Sequence, residues 1–112
     1  GVRLYSEDTV KLFTTKHTSY AEAHDGKLSY EFGYGFKLDQ SWMGESATEA
    51  CYGHDGFTGN TLFVDPDNKY IFICLSNKMQ SGFRDSDSSA YYNTNANLSL
   101  NMNEAVRGVL GI

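Results

Sequence analysis

Residues 61–75 read TLFVDPDNKYIFICL, two apolar runs separated by a turn sequence. The turn is DPDN at 65–68, where proline presets φ and Asp and Asn are favoured neighbours. We therefore predict strands over 61–64 and 70–75, paired as an antiparallel hairpin. The second run is almost continuously apolar, so we expect it to be covered on both faces.

The residues on either side of this hairpin predict further strands and two helices. Before the hairpin, capping residues and apolar spacing predict a helix over 7–15, followed by a loop or loose hairpin over 17–30. Alternation and glycine placement then predict a strand over 32–36, a polar loop over 39–49 and a strand over 50–54. After it, a loop over 78–95 precedes a closing helix over 98–110. The expected fold class is α/β in α+β layers, an antiparallel sheet flanked by helices. Two short helices cannot cover both faces, so the sheet is expected to lack packing partners.

Composition and charge fit a globular domain and exclude several functions. The chain has 112 residues, 40% of them hydrophobic, which suits one domain or part of one. Its net charge of −5 and scattered Lys and Arg give no support to a nucleic-acid partner. No run approaches the roughly 18 apolar residues that cross a bilayer, so no membrane span is expected in this chain.

The cysteines and the histidine pairs do not predict a disulfide or a metal site. Cys51 and Cys74 fall on the first and third predicted strands, about 9.5 Å apart at roughly 4.8 Å per strand step. A disulfide needs Cα atoms within about 7 Å, so both thiols should be free, buried and without a redox role. The HDG at 24–26 repeats the HDG at 54–56, but the spacing matches no known ligand frame. We expect neither a metal nor a cofactor.

The stretch richest in residues that can carry chemistry is GHDGFTG at 53–59. Three glycines in seven residues let a backbone approach a ligand closely. His54 can exchange a proton near neutral pH, and backbone N–H groups at such a strand can hold an oxyanion. The alternative is a glycine-rich bend whose histidine is simply hydrogen-bonded.

These residues, with LFVDP at 62–66 and FICLSNK at 72–78, resemble the end of the serine β-lactamase and penicillin-binding-protein-like family. The resemblance is strongest to the branch of class C β-lactamases, related esterases and D,D-peptidases, where His-x-Gly often replaces Lys-Thr-Gly. SEDTV at 6–10 and YGF at 34–36 match in order and spacing. The implied fold is the C-terminal portion of a β-lactamase/transpeptidase-like domain.

The resemblance implies a role for each residue of the motif. His54 stands where the family has Lys and would face the active-site cleft as a catalytic group. Gly56 would leave room for substrate, and the N–H of Phe57 would be one of two oxyanion donors. Asp55 replaces a Thr whose hydroxyl can bind a substrate carboxylate. A carboxylate there repels one unless it is protonated or paired, which leaves neutral esters or amides more open.

A tryptophan upstream is a further candidate for substrate binding. Trp42 could wall a cleft together with Tyr30, Tyr34 and Phe36. Core packing explains the same residues, so the two interpretations stay open.

The nucleophile motif of the family is missing from the 112 residues. No serine is followed at the third step by Lys, as the family's Ser-x-x-Lys requires. The YYN at 91–93 has the letters of the family's Tyr-x-Asn, but it follows the His54 strand and is predicted to be a surface loop. We therefore expect residues 1–112 to be the C-terminal portion of a single serine hydrolase domain, inactive alone, with the nucleophile before Gly1.

The resemblance also implies partners and a location. The substrate would be a small-molecule ester, amide, β-lactam or peptide-like compound, and the chain would pack against the remainder of its own domain. Family members are usually exported, so a periplasmic or extracellular location is expected. Two rival hypotheses remain: a non-catalytic binding or structural module derived from this fold, and a small β-rich carbohydrate-binding domain that uses Trp42 and the tyrosines.

Overall fold

A computed structural model describes residues 1–19, 31–38, 44–77 and 98–112. The described elements are helix α1 (Glu7–Thr14), strands β1 (Thr18–Ser19), β2 (Glu31–Phe32), β3 (Tyr52–Asp55), β4 (Thr61–Asp65) and β5 (Tyr70–Cys74), and helix α2 (Leu98–Leu110). The α+β class, with an antiparallel sheet and helices, is confirmed. Most of the predicted loops over 17–30, 39–49 and 78–95, including Trp42, lie outside the described residues.

Helix α1 begins where its capping residue predicts. Ser6 has an extended backbone, and its hydroxyl accepts the N–H of Thr9 at 3.1 Å. Glu7 and Asp8 add negative charge at the positive end of the helix dipole. The helix ends at Thr14, one residue before the predicted end.

The predicted strand over 32–36 is wrong beyond Phe32. Gly33 lies against the backbone of α1, where a Cβ would overlap the carbonyl oxygen of Phe13, and the N–H of Tyr34 donates to that oxygen at 3.0 Å. Gly35 then adopts a φ of +81°, a left-handed conformation that ends extended pairing. The glycines therefore do allow a close backbone approach, but they form a bend instead of a strand.

The three longer strands form an antiparallel sheet in the order β3-β4-β5. Side chains alternate between its two faces, and α2 lies over only one of them, here called the covered face. Thr61 and Tyr70 on this face donate hydrogen bonds at 3.0 Å to Ser99 and Asn103 of α2. Phe63, 2% exposed, is the central apolar side chain of this layer.

The other side of the sheet, here called the open face, carries Ile71 and Ile73, which are 63% and 62% exposed. Among the described residues β5 is therefore covered on one face only, which agrees with the expectation that two short helices leave the sheet without packing partners. The reason is that α2 packs only against the side with Tyr70, and the described part of the chain supplies no second layer over the two isoleucines.

A buried ion pair anchors α2 to the sheet. Arg107 Nη1 donates to Asp65 Oδ2 at 2.7 Å, and the two side chains are 1% and 0% exposed. Arg107 also donates to the hydroxyl of Ser46 at 2.8 Å and to its carbonyl oxygen at 2.9 Å. Burial by itself raises the pKa of Asp65, but hydrogen bonds from Asn68 and Arg107 outweigh it and hold that pKa below its ordinary value. The network joins α2, the end of β4 and the segment before β3.

Cys51 and Cys74 are both free and buried, which confirms the prediction of two separate thiols. Cys51 precedes β3 and Cys74 ends β5, with β4 lying between those strands. The Cys51 sulfur accepts the N–H of Thr48 at 3.3 Å. It therefore helps to fix the segment that leads into β3.

Candidate active site

The end of β3 is shaped by a tight turn. The N–H of Gly56 donates to the carbonyl oxygen of Asn60 at 2.7 Å, and the N–H of Gly59 donates to Gly56 at 2.9 Å. Gly59 has a φ of +102°, which favours glycine. The turn reverses the chain into β4 within five residues and leaves His54 and Asp55 at an exposed end of the sheet.

Gly53 fixes the position of this strand end between two neighbours. It exchanges backbone hydrogen bonds with Lys37 at 2.7 and 3.1 Å on one side. On the other side it is paired with Phe63, and a Cβ at Gly53 would overlap the carbonyl oxygen of Leu62. Only glycine therefore allows β3 to fit closely between the two strands, and His54 follows directly.

His54 is exposed on the open face, in the same row as Leu62 and Ile73. Its Nδ1 lies 2.7 Å from the carbonyl oxygen of Asp55. A carbonyl oxygen only accepts hydrogen bonds, so Nδ1 must carry a proton. The lone pair of the neutral ring therefore lies on Nε2. A neutral imidazole in this tautomer can accept a proton at Nε2 and then return it, as a general base or acid requires.

Asp55 forms an ion pair with Lys37. The Lys37 side chain is only 16% exposed, whereas Asp55 is 48% exposed, so the carboxylate is the part of the pair that solvent meets. Lys37 was not predicted as a site residue from the sequence. A lysine flanked by Phe36 and Leu38 was the available signal, because a charge inside a strand-like apolar stretch needs a partner.

Gly56 and Phe57 lie where a substrate could approach the strand end. A Cβ on Gly56 would come no closer than 3.5 Å to Asn60, an ordinary contact, so its surroundings are not crowded. Phe57 is 64% exposed in the turn. The structure thus brings His54, Asp55, Gly56 and Phe57 together in one exposed segment, and their roles toward substrate stay predictions.

The aromatic residues proposed to accompany Trp42 have separate partners. Tyr34 stacks on His17 with ring centroids 3.9 Å apart, and Phe36 packs edge-on against Tyr52 at 5.0 Å. Tyr30 and Trp42 fall outside the described segments. The substrate-binding role of Trp42 therefore stays a prediction.

A cavity of about 300 Å³ lies between α1 and the sheet, lined mainly by apolar side chains. Its lining includes Val10, Phe13 and Tyr52 but not His54. Among the described residues that line it, the titratable groups are tyrosine hydroxyls, which form no acid and base pair for catalysis.

Within residues 1–19, 31–38, 44–77 and 98–112, no three His, Cys, Asp or Glu side chains are grouped closely enough to hold a metal ion. In those same segments, neither helix has the length and apolar character needed to span a bilayer.

Comparison with known proteins supports the motif-based assignment. The profile of the family described as Beta-lactamase matches residues 2–96. Two relatives, from Escherichia coli O157:H7 and Escherichia coli strain K12, are 34% and 33% identical over 89 residues, and both bear the name "Putative D-alanyl-D-alanine carboxypeptidase". The matched segment covers 75% of this chain but only 18% of each relative, so the chain spans a small part of their length. No solved structure matches significantly. With nearly the whole chain matched by the family profile and the His-x-Gly strand in place, this protein belongs to the beta-lactamase family.

Proposed function

We propose that this chain contributes the His-x-Gly strand and one oxyanion-hole N–H to a β-lactamase-related serine hydrolase. The observation that carries the proposal is the exposure and hydrogen bonding of the His54 ring. Its imidazole is exposed, its Nδ1 proton is engaged by the Asp55 carbonyl oxygen at 2.7 Å, and Nε2 is the nitrogen that can accept a proton.

Each residue of the motif has a defined part in the proposed reaction. A serine from elsewhere in the polypeptide attacks an ester, amide or β-lactam carbonyl, and its proton passes to a nearby base. The resulting oxyanion is held by the N–H of Phe57 and that of the serine. The leaving group takes up a proton and departs, and water then cleaves the acyl-enzyme to release the acid. His54 polarises the site or assists these proton transfers, and Gly56 leaves space for the acyl group.

The names of the relatives favour a peptide substrate, and the Lys37–Asp55 ion pair removes the main objection to one. A D-alanyl-D-alanine peptide ends in a carboxylate, which an unpaired Asp55 would repel, but the charge of Asp55 is offset by Lys37. We therefore propose an ester, amide, β-lactam or peptide-like compound as the substrate, with a free C-terminus tolerated. By family, the active protein works in the periplasm or outside the cell.

A serine-reactive fluorophosphonate tests the proposal directly. The purified 112-residue chain should remain unlabelled, because it lacks Ser-x-x-Lys. The full-length gene product should be labelled at one serine and should hydrolyse 4-nitrophenyl butyrate. Stoichiometric labelling of the isolated chain would show that the nucleophile has been wrongly assigned. A full-length product that is neither labelled nor hydrolytic would favour the non-catalytic module.

A further inference from the structure

A serine beyond the end of β5 ties the tight turn over 56–60, here called the glycine turn, to the neighbouring strand. Ser76 lies two residues after Cys74, where β5 ends, and it is half-buried. Its hydroxyl donates to the carbonyl oxygen of Gly59 at 2.8 Å, and its backbone N–H donates to Oδ1 of Asn60 at 2.9 Å. One residue therefore holds two consecutive residues at the end of the turn.

The glycine turn passes this constraint to the peptide group that joins Gly56 and Phe57. The N–H of Gly59 donates to the carbonyl oxygen of Gly56 at 2.9 Å. That carbonyl and the N–H of Phe57 belong to one planar peptide group, in which they point in opposite directions. Because the carbonyl is directed into the turn, the N–H is directed out of it. Fixing Gly59 therefore fixes the direction of the proposed oxyanion donor.

The same turn reaches His54 through the preceding peptide group. The N–H of Gly56 donates to the backbone carbonyl oxygen of Asn60 at 2.7 Å. The carbonyl of that peptide group belongs to Asp55, and it accepts the Nδ1 proton of His54 at 2.7 Å. Asn60 thus holds one end of a peptide group whose other end holds the imidazole. Since Ser76 bonds the Asn60 side chain, it is connected to both groups of the proposed site.

We propose that Ser76 is a positioning residue of the hydrolase, which aligns the Phe57 N–H and the His54 ring by holding the glycine turn. This inference rests on the proposed hydrolase function and adds a residue outside the His-x-Gly motif. Ser76 acts through Gly59 and Asn60 and is not proposed to touch the substrate.

The alignment of the turn matters because oxyanion stabilisation depends steeply on geometry. A donor acts fully when it lies about 2.7–3.1 Å from the developing oxyanion, and a displacement of about 1 Å can lower a rate about 100-fold. By contrast, losing one partly exposed hydrogen bond has a modest effect on folding. Removing the Ser76 hydroxyl should therefore affect turnover more than stability.

Substitutions of Ser76 in the full-length gene product test the proposal with 4-nitrophenyl butyrate. Ser76→Ala removes the hydroxyl but keeps the backbone N–H, and kcat should fall about 10-fold. KM should stay within about twofold, because the misaligned donor acts mainly in the transition state. Ser76→Thr keeps a hydroxyl and should restore kcat to within about threefold of the unchanged protein.

Phenylboronic acid separates positioning from a general loss of structure. It forms a tetrahedral adduct with a catalytic serine, and one of its oxygens takes the place of the oxyanion. Its Ki should rise in Ser76→Ala by about the factor by which kcat falls. Asn60→Ala removes the side-chain acceptor of the Ser76 N–H and should act in the same direction. The double variant should lose less than the product of the two single effects, because both residues hold one turn.

Ser6→Ala is the matched control. The Ser6 hydroxyl also bonds the backbone, at the start of α1, where it accepts the N–H of Thr9 at 3.1 Å. Its removal should lower the temperature of thermal unfolding and leave kcat and Ki unchanged. Thermal unfolding of Ser76→Ala and Asn60→Ala checks that both variants are folded.

The two levels of the hypothesis fail in different ways. Without fluorophosphonate labelling, or with full turnover in His54→Ala, the hydrolase proposal is wrong and the role of Ser76 falls with it. With labelling and a His54-dependent turnover, an unchanged kcat and Ki in Ser76→Ala overturn the positioning inference alone. A loss that Ser76→Thr does not restore, or that Ser6→Ala reproduces, also overturns it.

Discussion

Arg107 and Asp65, 42 residues apart in sequence, form an ion pair in which neither side chain is more than 1% exposed. The pair is stabilised by its surroundings: Asn68 donates to both Asp65 oxygens at 2.9 and 3.1 Å, and Ser46 accepts twice from Arg107. The guanidinium also lies 5.3 Å from the ring centre of Phe63. Both buried charges are therefore hydrogen-bonded, and they lie at the end of the sheet far from His54.

Breaking this pair should strongly destabilise the fold. Arg107→Met leaves the Asp65 carboxylate buried without its cation and should lower the free energy of unfolding by about 3–5 kcal/mol. Urea denaturation followed by circular dichroism measures the change. Arg3→Met is the matched control, because the Arg3–Glu7 pair is exposed and such pairs contribute only about 0.5 kcal/mol. Equal effects in the two variants would contradict a structural role for the buried pair.

The same pair should make the fold sensitive to acid. The pKa of Asp65 is lowered in the folded chain from an ordinary value of 3.8, so the ionised form is favoured by folding. Its contribution to stability is then complete above pH 3.8 and is lost as the pH falls below 3.8 through the folded pKa. Urea midpoints measured between pH 6 and pH 2 should show this loss. The additional slope below pH 4 should be absent in Asp65→Asn; an unchanged slope there would assign the acid sensitivity to other groups.

Gly53 and Gly108 should respond oppositely to alanine. In Gly53→Ala the new methyl group overlaps the backbone carbonyl of Leu62, so β3 must move away from β4. We expect a loss of about 2 kcal/mol or more in unfolding free energy. Gly108 lies in α2 with nothing within 4 Å of its Cβ position, and Gly108→Ala should stabilise the chain by up to about 1 kcal/mol. Thermal unfolding of both variants checks the contrast, and a neutral Gly53→Ala would show that the strands are less closely packed.

His54 should matter for turnover and little for stability. Its ring is exposed, and within the described segments it bonds only to the adjacent Asp55, so His54→Ala should change the unfolding free energy by less than about 0.5 kcal/mol. In the full-length gene product it should lower kcat/KM for 4-nitrophenyl butyrate by about 100-fold or more. His17→Ala is the control, because His17 bonds the carbonyl oxygen of Leu12 at 2.7 Å and stacks on Tyr34. That variant should affect stability and leave turnover intact; the reverse result would remove His54 from the site.

The two thiols should be protected in the folded chain. Cys51 and Cys74 are 1% and 9% exposed, and they are not bonded to each other. Ellman's reagent should react slowly with the native chain and should titrate two thiols once urea is added. Mass spectrometry after mild oxidation should show no loss of two hydrogens. Rapid native reaction would mean that the segment before β3 opens readily.

Local sequence signals predicted the elements that depend on neighbours in the chain. The turn at 65–68 defined the β4–β5 hairpin, and the closing helix has the predicted bounds of 98–110. The strand over 32–36 failed because alternating aromatic and glycine residues suit a bend as well as a strand. There the backbone of α1 determines the outcome through its contact with Gly33.

The contacts that could not be predicted join residues distant in sequence. Lys37 and Asp55 are separated by 18 positions, and Arg107 and Asp65 by 42. Nothing in the local pattern around Arg107 distinguishes a buried arginine from a solvated one at the end of a helix. For the site, the motif indicated His54 and Asp55. Lys37, the ion-pair partner of Asp55, could be found only from the backbone pairing of Lys37 with Gly53.

The two ends of the β3–β4 pair differ in burial: one carries a buried ion pair and the other an exposed turn. At the end where β3 begins and β4 finishes, the buried Asp65–Arg107 pair holds the sheet to α2. The opposite end exposes His54, Asp55 and the glycine turn. Substitutions at the exposed end that carries His54 and Asp55 are therefore expected to leave the buried Asp65–Arg107 network, and with it the attachment of α2 to the sheet, intact.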